Sequence, residues 1–214
     1  MKMTENIQVL THSSIRISGE VVVYVDPFHI VNGSNDADII LITHDHFDHF
    51  SPEDIAKVIK SDTTLVVPEK MKKKASEISC GQLITVKPGE SRRLGSVAIE
   101  TIPAYNPLKP FHPKSHGWVG YVLEIDGVRI YIAGDTDITK ENKEVSCDVA
   151  MVPIGGTYTM DAKKAAELVN IIHPKAAIPT HYGSVAGGRE DENTFRANVD
   201  PSVSVEIKME RYGD

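Results

Sequence analysis

Short apolar, β-branched runs separated by turn signals organise this chain. Val21–Val25 is one such run, closed by Asp26-Pro27. Ala37–Thr43 (ADIILIT) is another, and Leu65–Val67, Leu83–Val86 and Val97–Ile102 follow. Runs of this length and composition fit the pleated, half-buried surface of a strand. Val119–Ile125 and Val128–Ala133 flank Asp126-Gly127, a pair that tolerates the positive φ angles of a tight hairpin. Asp148–Ile154, Ala176–Pro179 and Val203–Ile207 complete the series.

Helical spacing is rarer. Ser51-Pro52-Glu53-Asp54 combines an N-cap, a proline at the first helical position and acidic residues in the first turn, which predicts a helix over Pro52–Lys60. Asp161–Ile172 has apolar residues at helical spacing, with Asp161 as the cap and His173-Pro174 as the stop. Glu69–Ile78 and Asp191–Asn198 carry weaker helical patterns. No repeat, low-complexity tract or linker divides the 214 residues, so 1–214 reads as a single domain. Strands dominate the first half with helices inserted, which argues for an α/β protein with two sheets rather than one doubly wound parallel sheet.

Composition narrows the partners. The chain is 41% hydrophobic and 25% charged, with a formal net charge of −7. An acidic chain has no general attraction for nucleic acid or an anionic membrane surface. The dense basic run Lys70, Lys72, Lys73 and Lys74 lacks interleaved aromatic residues and reads as a solvated helix face. No stretch approaches the ~18 apolar residues needed to cross a bilayer, and MKMTENIQVLTHSSIRI lacks the apolar core of a secretory leader. Cys80 and Cys147 have no partner at ligand spacing, so both are expected to be reduced structural thiols in a cytoplasmic protein. Homo-oligomerisation is left open.

The chemistry concentrates in one place. In Thr43-His44-Asp45-His46-Phe47-Asp48-His49, three histidines and two aspartates fall within six positions, straight after an apolar strand. An extended backbone would put His44 and His46 on one face. Asp48 and His49 are adjacent and cannot share that direction, and the chain turns towards the Ser51 cap. Two ligand groups pointing different ways suit two nearby metal ions. Imidazole nitrogens with one or two carboxylates favour Zn²⁺ first, with Mn²⁺ or Fe compatible. Asp135 and His181 each follow a predicted strand and could converge on the same edge.

His-Asp-His-Phe-Asp-His resembles the His-x-His-x-Asp-His signature of the metallo-β-lactamase superfamily. Ala133-Gly134-Asp135-Thr136 is similar to that family's Gly-Asp element, whose aspartate bridges two metals. Ile178-Pro179-Thr180-His181 is similar to the late histidine completing its second site. Thr11-His12-Ser13-Ser14, Val25-Asp26-Pro27-Phe28 and Pro153–Met160 resemble the branch containing ascorbate-6-phosphate lactonase and many metal-dependent hydrolases. The resemblance covers essentially the whole chain. It implies a four-layer αββα sandwich of two mixed sheets with the site at one edge. It also implies His44, His46, Asp48, His49, Asp135 and His181 as ligands of one or two ions.

The family supplies one further histidine between the first motif and the Gly-Asp. That place reads Ile102-Pro103-Ala104-Tyr105-Asn106, and the nearby candidates are His112 and His116. Their alternative role is to line the pocket mouth. The loop that carries them holds Pro103, Pro107, Pro110 and Pro113, so it is neither regular helix nor central strand. Lys109, Lys114 and His112 are placed to meet an anionic substrate group. His12, between two predicted strands, is expected near the metals or the substrate, and Asp26 is expected to orient a ligand histidine. Thr157, Tyr158 and Thr159 precede the Asp161 cap, so Thr159 is a substrate-side candidate at a helix N-terminus.

The expected activity is hydrolysis by a metal-activated hydroxide, with Asp48 both ligating and orienting it. The expected substrate is a small anionic ester, a lactone or a phosphodiester. A non-catalytic metal- or ligand-binding protein on the same scaffold is the second class, favoured by the missing middle histidine. An RNA-processing nuclease is the third, opposed by the negative charge.

Overall fold

A computed structural model describes residues 3–213. In chain order it contains β1 (Ile7–Thr11), β2 (Ser14–Ile17), β3 (Val23–Val25), β4 (Ala37–Leu41), α1 (Pro52–Val58) and β5 (Ile59–Pro68). A short 3-10 turn leads into α2 (Lys72–Ala75), followed by β6 (Gln82–Val86), β7 (Ser91–Leu94), β8 (Val97–Pro103), β9 (Val119–Ile125) and β10 (Val128–Ile132). The remainder is β11 (Val149–Pro153), α3 (Ala162–Ile172), β12 (Ala176–Thr180), α4 (Asp191–Asn198), β13 (Ser204–Val205) and β14 (Met209–Arg211).

The strands form two seven-stranded mixed sheets, ordered β14-β1-β2-β3-β4-β5-β6 and β13-β12-β11-β10-β9-β8-β7. The side-chain alternation of β4 shows how the layers assemble. Ile39 and Leu41 enter the core between the sheets, where they meet residues such as Tyr121 and Leu123. Ile40 and Ile42 enter a second core with Ile55 and Val58 of α1 and Met71 and Ala75 around α2. The first sheet is therefore buried on both faces, as its continuous apolar run requires. On the far side, α3 places Ala165, Leu168 and Val169 against the other sheet. The layers run helix, sheet, sheet, helix, the αββα sandwich that the family resemblance implied.

Local chemistry explains the boundaries. Ser51 caps α1 by accepting from the Asp54 amide. α1 stops at Val58, short of the predicted Lys60, because Ile59 is already extended and starts β5. The predicted Glu69–Ile78 helix is shorter too, split between the 3-10 turn and α2. Asp161 caps α3 through the Lys164 amide, and His173 ends it in the left-handed region at φ 48°. β7 (SRRL) is an exposed edge without an apolar pattern, and β14 is three residues on the opposite sheet's edge. Neither carried a strand signal in the sequence.

Candidate metal centre

One edge of the sandwich collects the C-terminal ends of β1, β3, β4, β10, β11 and β12. His12, Asp26, His44, Asp135, Gly155 and His181 lie just beyond those ends. This is where an α/β sheet leaves a crevice. Backbone bonds tie the ends together. The His181 amide donates to the His12 carbonyl at 2.9 Å, and the Val119 amide donates across the sandwich to the Thr43 carbonyl at 3.2 Å. Three of these residues occupy left-handed backbone: His12 at φ 52°, Asp26 at 46° and His181 at 55°. Such strain persists only where the surroundings enforce it. Gly155 packs so tightly under His181 that a Cβ there would collide with the His181 carbonyl oxygen. The Gly155-Gly156 pair is explained by that approach.

Besides the trio Asp26, His44 and His49, two groups of four have ligand atoms within 4.8 Å of one another: His44, His46, His112 and Asp135, and then His12, Asp48, His49 and His181. Asp135 joins them. One of its oxygens is 3.3 Å from His112 Nε2 and 3.1 Å from His181 Nε2, and the other is 3.3 Å from His49 Nε2. Of the two middle-histidine candidates, His112 is the one that joins the first group, set beside His44 and His46 with ring centroids 5.3 and 4.9 Å away. His116 is exposed and packs edge-on against Trp118, at 4.5 Å between ring centroids, outside both groups.

These atoms are close without being satisfied. His49 Nε2, His112 Nε2, His181 Nε2 and Asp135 Oδ1 are buried and have no hydrogen-bond partner. Orphaned buried polar atoms are rare because each costs about 1–3 kcal/mol. Here several aim at common points between them, the signature of a cation-binding cradle.

Charge gives the same answer. Asp26, Asp48 and Asp135 are all buried, and no lysine or arginine pairs with any of them among the described residues. Burial opposes ionisation of Asp48, but His12, His181 and His49 outweigh it and hold its carboxyl below the usual range. Burial likewise opposes ionisation of Asp135, and His181 and His49 overcome it. The countercharge falls on the histidines. Burial pulls His181 down, but Asp135 and Asp48 lift it to about 9. His49 also rises, against burial, through Asp135 and Asp26. His44 and His46 move down, mainly by burial, and stay neutral. Burial and His181 lower His12 to about 4. The cluster demands positive charge, and cations ligated by deprotonated imidazole meet that demand as well as protons do.

The surrounding shell orients the ligands. His49 Nδ1 lies 2.7 Å from Asp26 Oδ2, so its Nε2 faces the cradle. His44 Nδ1 lies 2.9 Å from Thr43 Oγ1, which donates to Asp26 at 2.6 Å. His112 Nδ1 donates to Asn106 Oδ1 at 2.7 Å, and the Asn106 amide donates to the His112 carbonyl at 2.8 Å. His12 Nε2 anchors Asp48 Oδ2 at 3.0 Å. Trp118 walls the first group, 5.0 Å from His44 and 4.9 Å from His46 between ring centroids. Asn106 and Thr43 escaped the sequence reading. Both are polar residues adjoining ligand segments, and neither spacing nor charge marks them.

Some expected residues are engaged elsewhere. The Thr159 hydroxyl donates within its own loop, towards the Gly156 and Met160 carbonyls, and does not line the cavity over the cluster. Lys109 pairs with Asp137 at 2.8 Å, and Lys114 with Glu141 at 2.6 Å. The tetra-lysine region lies on α2 and the turn before it, where Lys74 Nζ donates to the Asp45 carbonyl at 2.9 Å. Among the described residues, no helix is long and apolar enough to cross a membrane.

Comparison with known proteins places this geometry. A model of the beta-lactamase superfamily domain matches residues 6–181. A UPF0173 metal-dependent hydrolase from Methanoregula boonei is 30% identical over 209 residues, spanning 92% of this chain and 91% of its own. A crystal structure of a candidate metal-dependent hydrolase from Parabacteroides distasonis is similar at a TM-score of 0.78 and 33% identity, covering 94% of this chain and 91% of its own. A metallo hydrolase from Ignicoccus hospitalis shares the fold, with a TM-score of 0.76 at 21% identity and coverage of 97% and 95%.

Proposed function

The chain belongs to the beta-lactamase superfamily, and we propose that it is a metal-dependent hydrolase cleaving an ester, lactone or phosphodiester of a small molecule at the His/Asp cluster. The observation that carries this reading is the set of orphaned ligand atoms on His49, His112, His181 and Asp135. His44, His46 and His112 would hold one ion, Asp48, His49 and His181 a second, with Asp135 between them. The donor set suits Zn²⁺ first, with Mn²⁺ or Fe as alternatives. Bound there, the ions supply Lewis acidity, which brings the pKa of a coordinated water towards about 7 and counters charge developing on the substrate.

The protein's own residues do the rest. Asp48 has one oxygen fixed by His12, leaving the other to ligate or to orient water. Its carboxyl is held below the usual range, so it works as an acceptor that aims water rather than as a reservoir for the proton. Attack forms a bond from the water oxygen to the carbonyl carbon or phosphorus. The bond to the alcohol oxygen breaks, and the proton lost by water ends on that leaving oxygen. Trp118 and the buried histidine backs exclude bulk water from one side of the cluster. The position of His112 beside His44 and His46 supports the catalytic reading over the non-catalytic one. The two cysteines are free thiols, which fits a reducing cytoplasmic setting.

The test is chelator-stripped protein reloaded with Zn²⁺ or Mn²⁺ and assayed on chromogenic esters, lactones and phosphodiesters. Turnover should need the ion, and His46→Ala should lose ion and turnover together. Turnover by metal-free protein refutes the reading.

A further inference from the structure

A cavity of about 320 Å³ opens directly over the cluster, lined by His46, Asp48, Asp135 and His181 at its floor and by Phe47, Phe111, Tyr158 and Val185 around it. Its volume sits at the small end of the range for small-molecule sites, roughly 300–1,000 Å³. The four wall residues are notable for their exposure. Phe47 is 68% exposed, Phe111 40%, Tyr158 38% and Val185 38%, and they make up four of the seven large apolar side chains that face solvent among the described residues. Exposed apolar side chains scatter singly on most surfaces, and a cluster marks a contact site. Phe111 and Tyr158 come from separate loops and meet edge to face at 4.9 Å between ring centroids. Phe47 meets Phe28 edge to face at 6.1 Å between ring centroids.

The wall is also without cations. Among the described residues, no lysine or arginine lines the cavity. The basic residues of the neighbouring loops are bound to protein partners: Lys109 to Asp137 and the Thr159 carbonyl, Lys114 to Glu141, Lys74 to the Asp45 carbonyl. Arg189 stacks over Tyr212 at 4.1 Å. A carboxylate or phosphate on the substrate flank would lose its water shell here and gain no countercharge. An alkyl or aryl flank would instead cover aromatic surface now facing solvent.

We propose that this cavity binds the uncharged, apolar or aromatic flank of the substrate, so that the protein selects esters or lactones with an alkyl or aryl acyl group and rejects those ending in a second anionic group. The inference rests on the metal-hydrolase reading and revises the expectation of an anionic substrate, which came from the branch resemblance together with Lys109, Lys114 and His112. Negative charge is tolerated only at the reacting centre, above the cluster.

Binding rather than turnover tests this. Acetohydroxamate, hexanohydroxamate and the monohydroxamate of succinic acid share one metal-chelating head and differ in the tail. Their dissociation constants for the Zn²⁺-loaded protein are measured by calorimetry. Each added methylene should tighten binding about fourfold until the cavity fills, the equivalent of ~0.8 kcal/mol per buried CH₂. The succinyl compound should bind at least tenfold more weakly than the hexanoyl one. A Phe111→Ala, Tyr158→Ala double variant should flatten the dependence on tail length. Equal or tighter binding of the succinyl compound, or a tail dependence that survives the double variant, overturns the proposal and leaves the hydrolase reading standing. Failure of all three compounds to bind the loaded protein overturns the metal reading and the proposal together.

Discussion

Replacing Asp26 with asparagine is the sharpest probe of how the centre is assembled, because one carboxylate sets the tautomer of two candidate ligands. Asp26 Oδ1 accepts from the Thr43 amide at 2.8 Å, and Oδ2 accepts from the Thr43 hydroxyl at 2.6 Å and from His49 Nδ1 at 2.7 Å. His44 Nδ1 in turn donates to that hydroxyl at 2.9 Å. With an ion bound, both imidazoles would thereby keep the proton on Nδ1 and leave Nε2 free to ligate. The variant keeps the shape but turns one oxygen into a donor. Placed at Oδ2, its NH₂ group opposes His49 Nδ1–H and the Thr43 hydroxyl, and favours the tautomer that puts a proton on Nε2, where the ion should sit. Flipped, it opposes the Thr43 amide instead. Either way a buried donor faces a donor.

Losing one outer partner of a metal ligand costs about 10- to 100-fold in affinity, or about 1.4–2.7 kcal/mol at ~1.36 kcal/mol per decade. Asp26 serves one ligand from each group, so Asp26→Asn should approach the upper figure. Asp26→Ala removes the acceptor without adding an opposing donor and should lose less. Zn²⁺ affinity and stoichiometry are read by competition with a chromogenic chelator near neutral pH. Thermal unfolding of the metal-free proteins checks that both variants fold. Wild-type affinity in the Asn variant, or tighter binding by Asn than by Ala, refutes the tautomer argument.

His112→Ala should lower the metal content by elemental mass spectrometry from about two ions per chain to about one, since two ions would share the bridging aspartate; unchanged content would remove His112 from the ligands. Zn²⁺ binding at pH 7 should release protons, from His181, lifted to about 9 without metal, and from His49, which is also raised; calorimetry in buffers of different ionisation enthalpy measures this, and no release would contradict the assigned charges. In the metal-free protein, the His181 contribution to stability is complete below pH 6.5 and fades as pH rises to about 9, whereas the His12 contribution is present above 6.5 and fades as pH falls to about 4. The melting temperature of stripped protein should therefore be highest near pH 6.5, and a steady rise to pH 9 would count against these shifts. Gly155→Ala should displace the His181 backbone, at the roughly 1–3 kcal/mol of an overpacked site, and weaken metal binding; a variant with native stability and affinity would mean that the loop yields freely.

What the sequence made legible follows from the range over which each feature is decided. His44, His46, Asp48 and His49 lie in the one connection between β4 and α1, so spacing alone was enough to nominate them together. Asp135 and His181 needed only the expectation that strand ends share an edge, and the apolar runs of β10 and β12 supplied it. The αββα layering itself came from the family resemblance, and the double-faced burial of Ile39 to Ile42 is its physical counterpart. His112 was different. Its place depends on Asn106 closing the proline-rich loop through two hydrogen bonds six residues apart, a tertiary event that no local pattern ranks above His116. The same loop misled the reading of charge. Lys109 and Lys114 are cations in sequence, but Asp137 and Glu141, more than twenty residues on, neutralise them in the fold. What that pairing leaves at the mouth of the centre is Phe111 facing Tyr158. The candidate ligands lie in short motifs, whereas the residues that would set specificity are placed by pairings between distant loops, so the sequence marks the candidate centre and leaves its substrate unmarked.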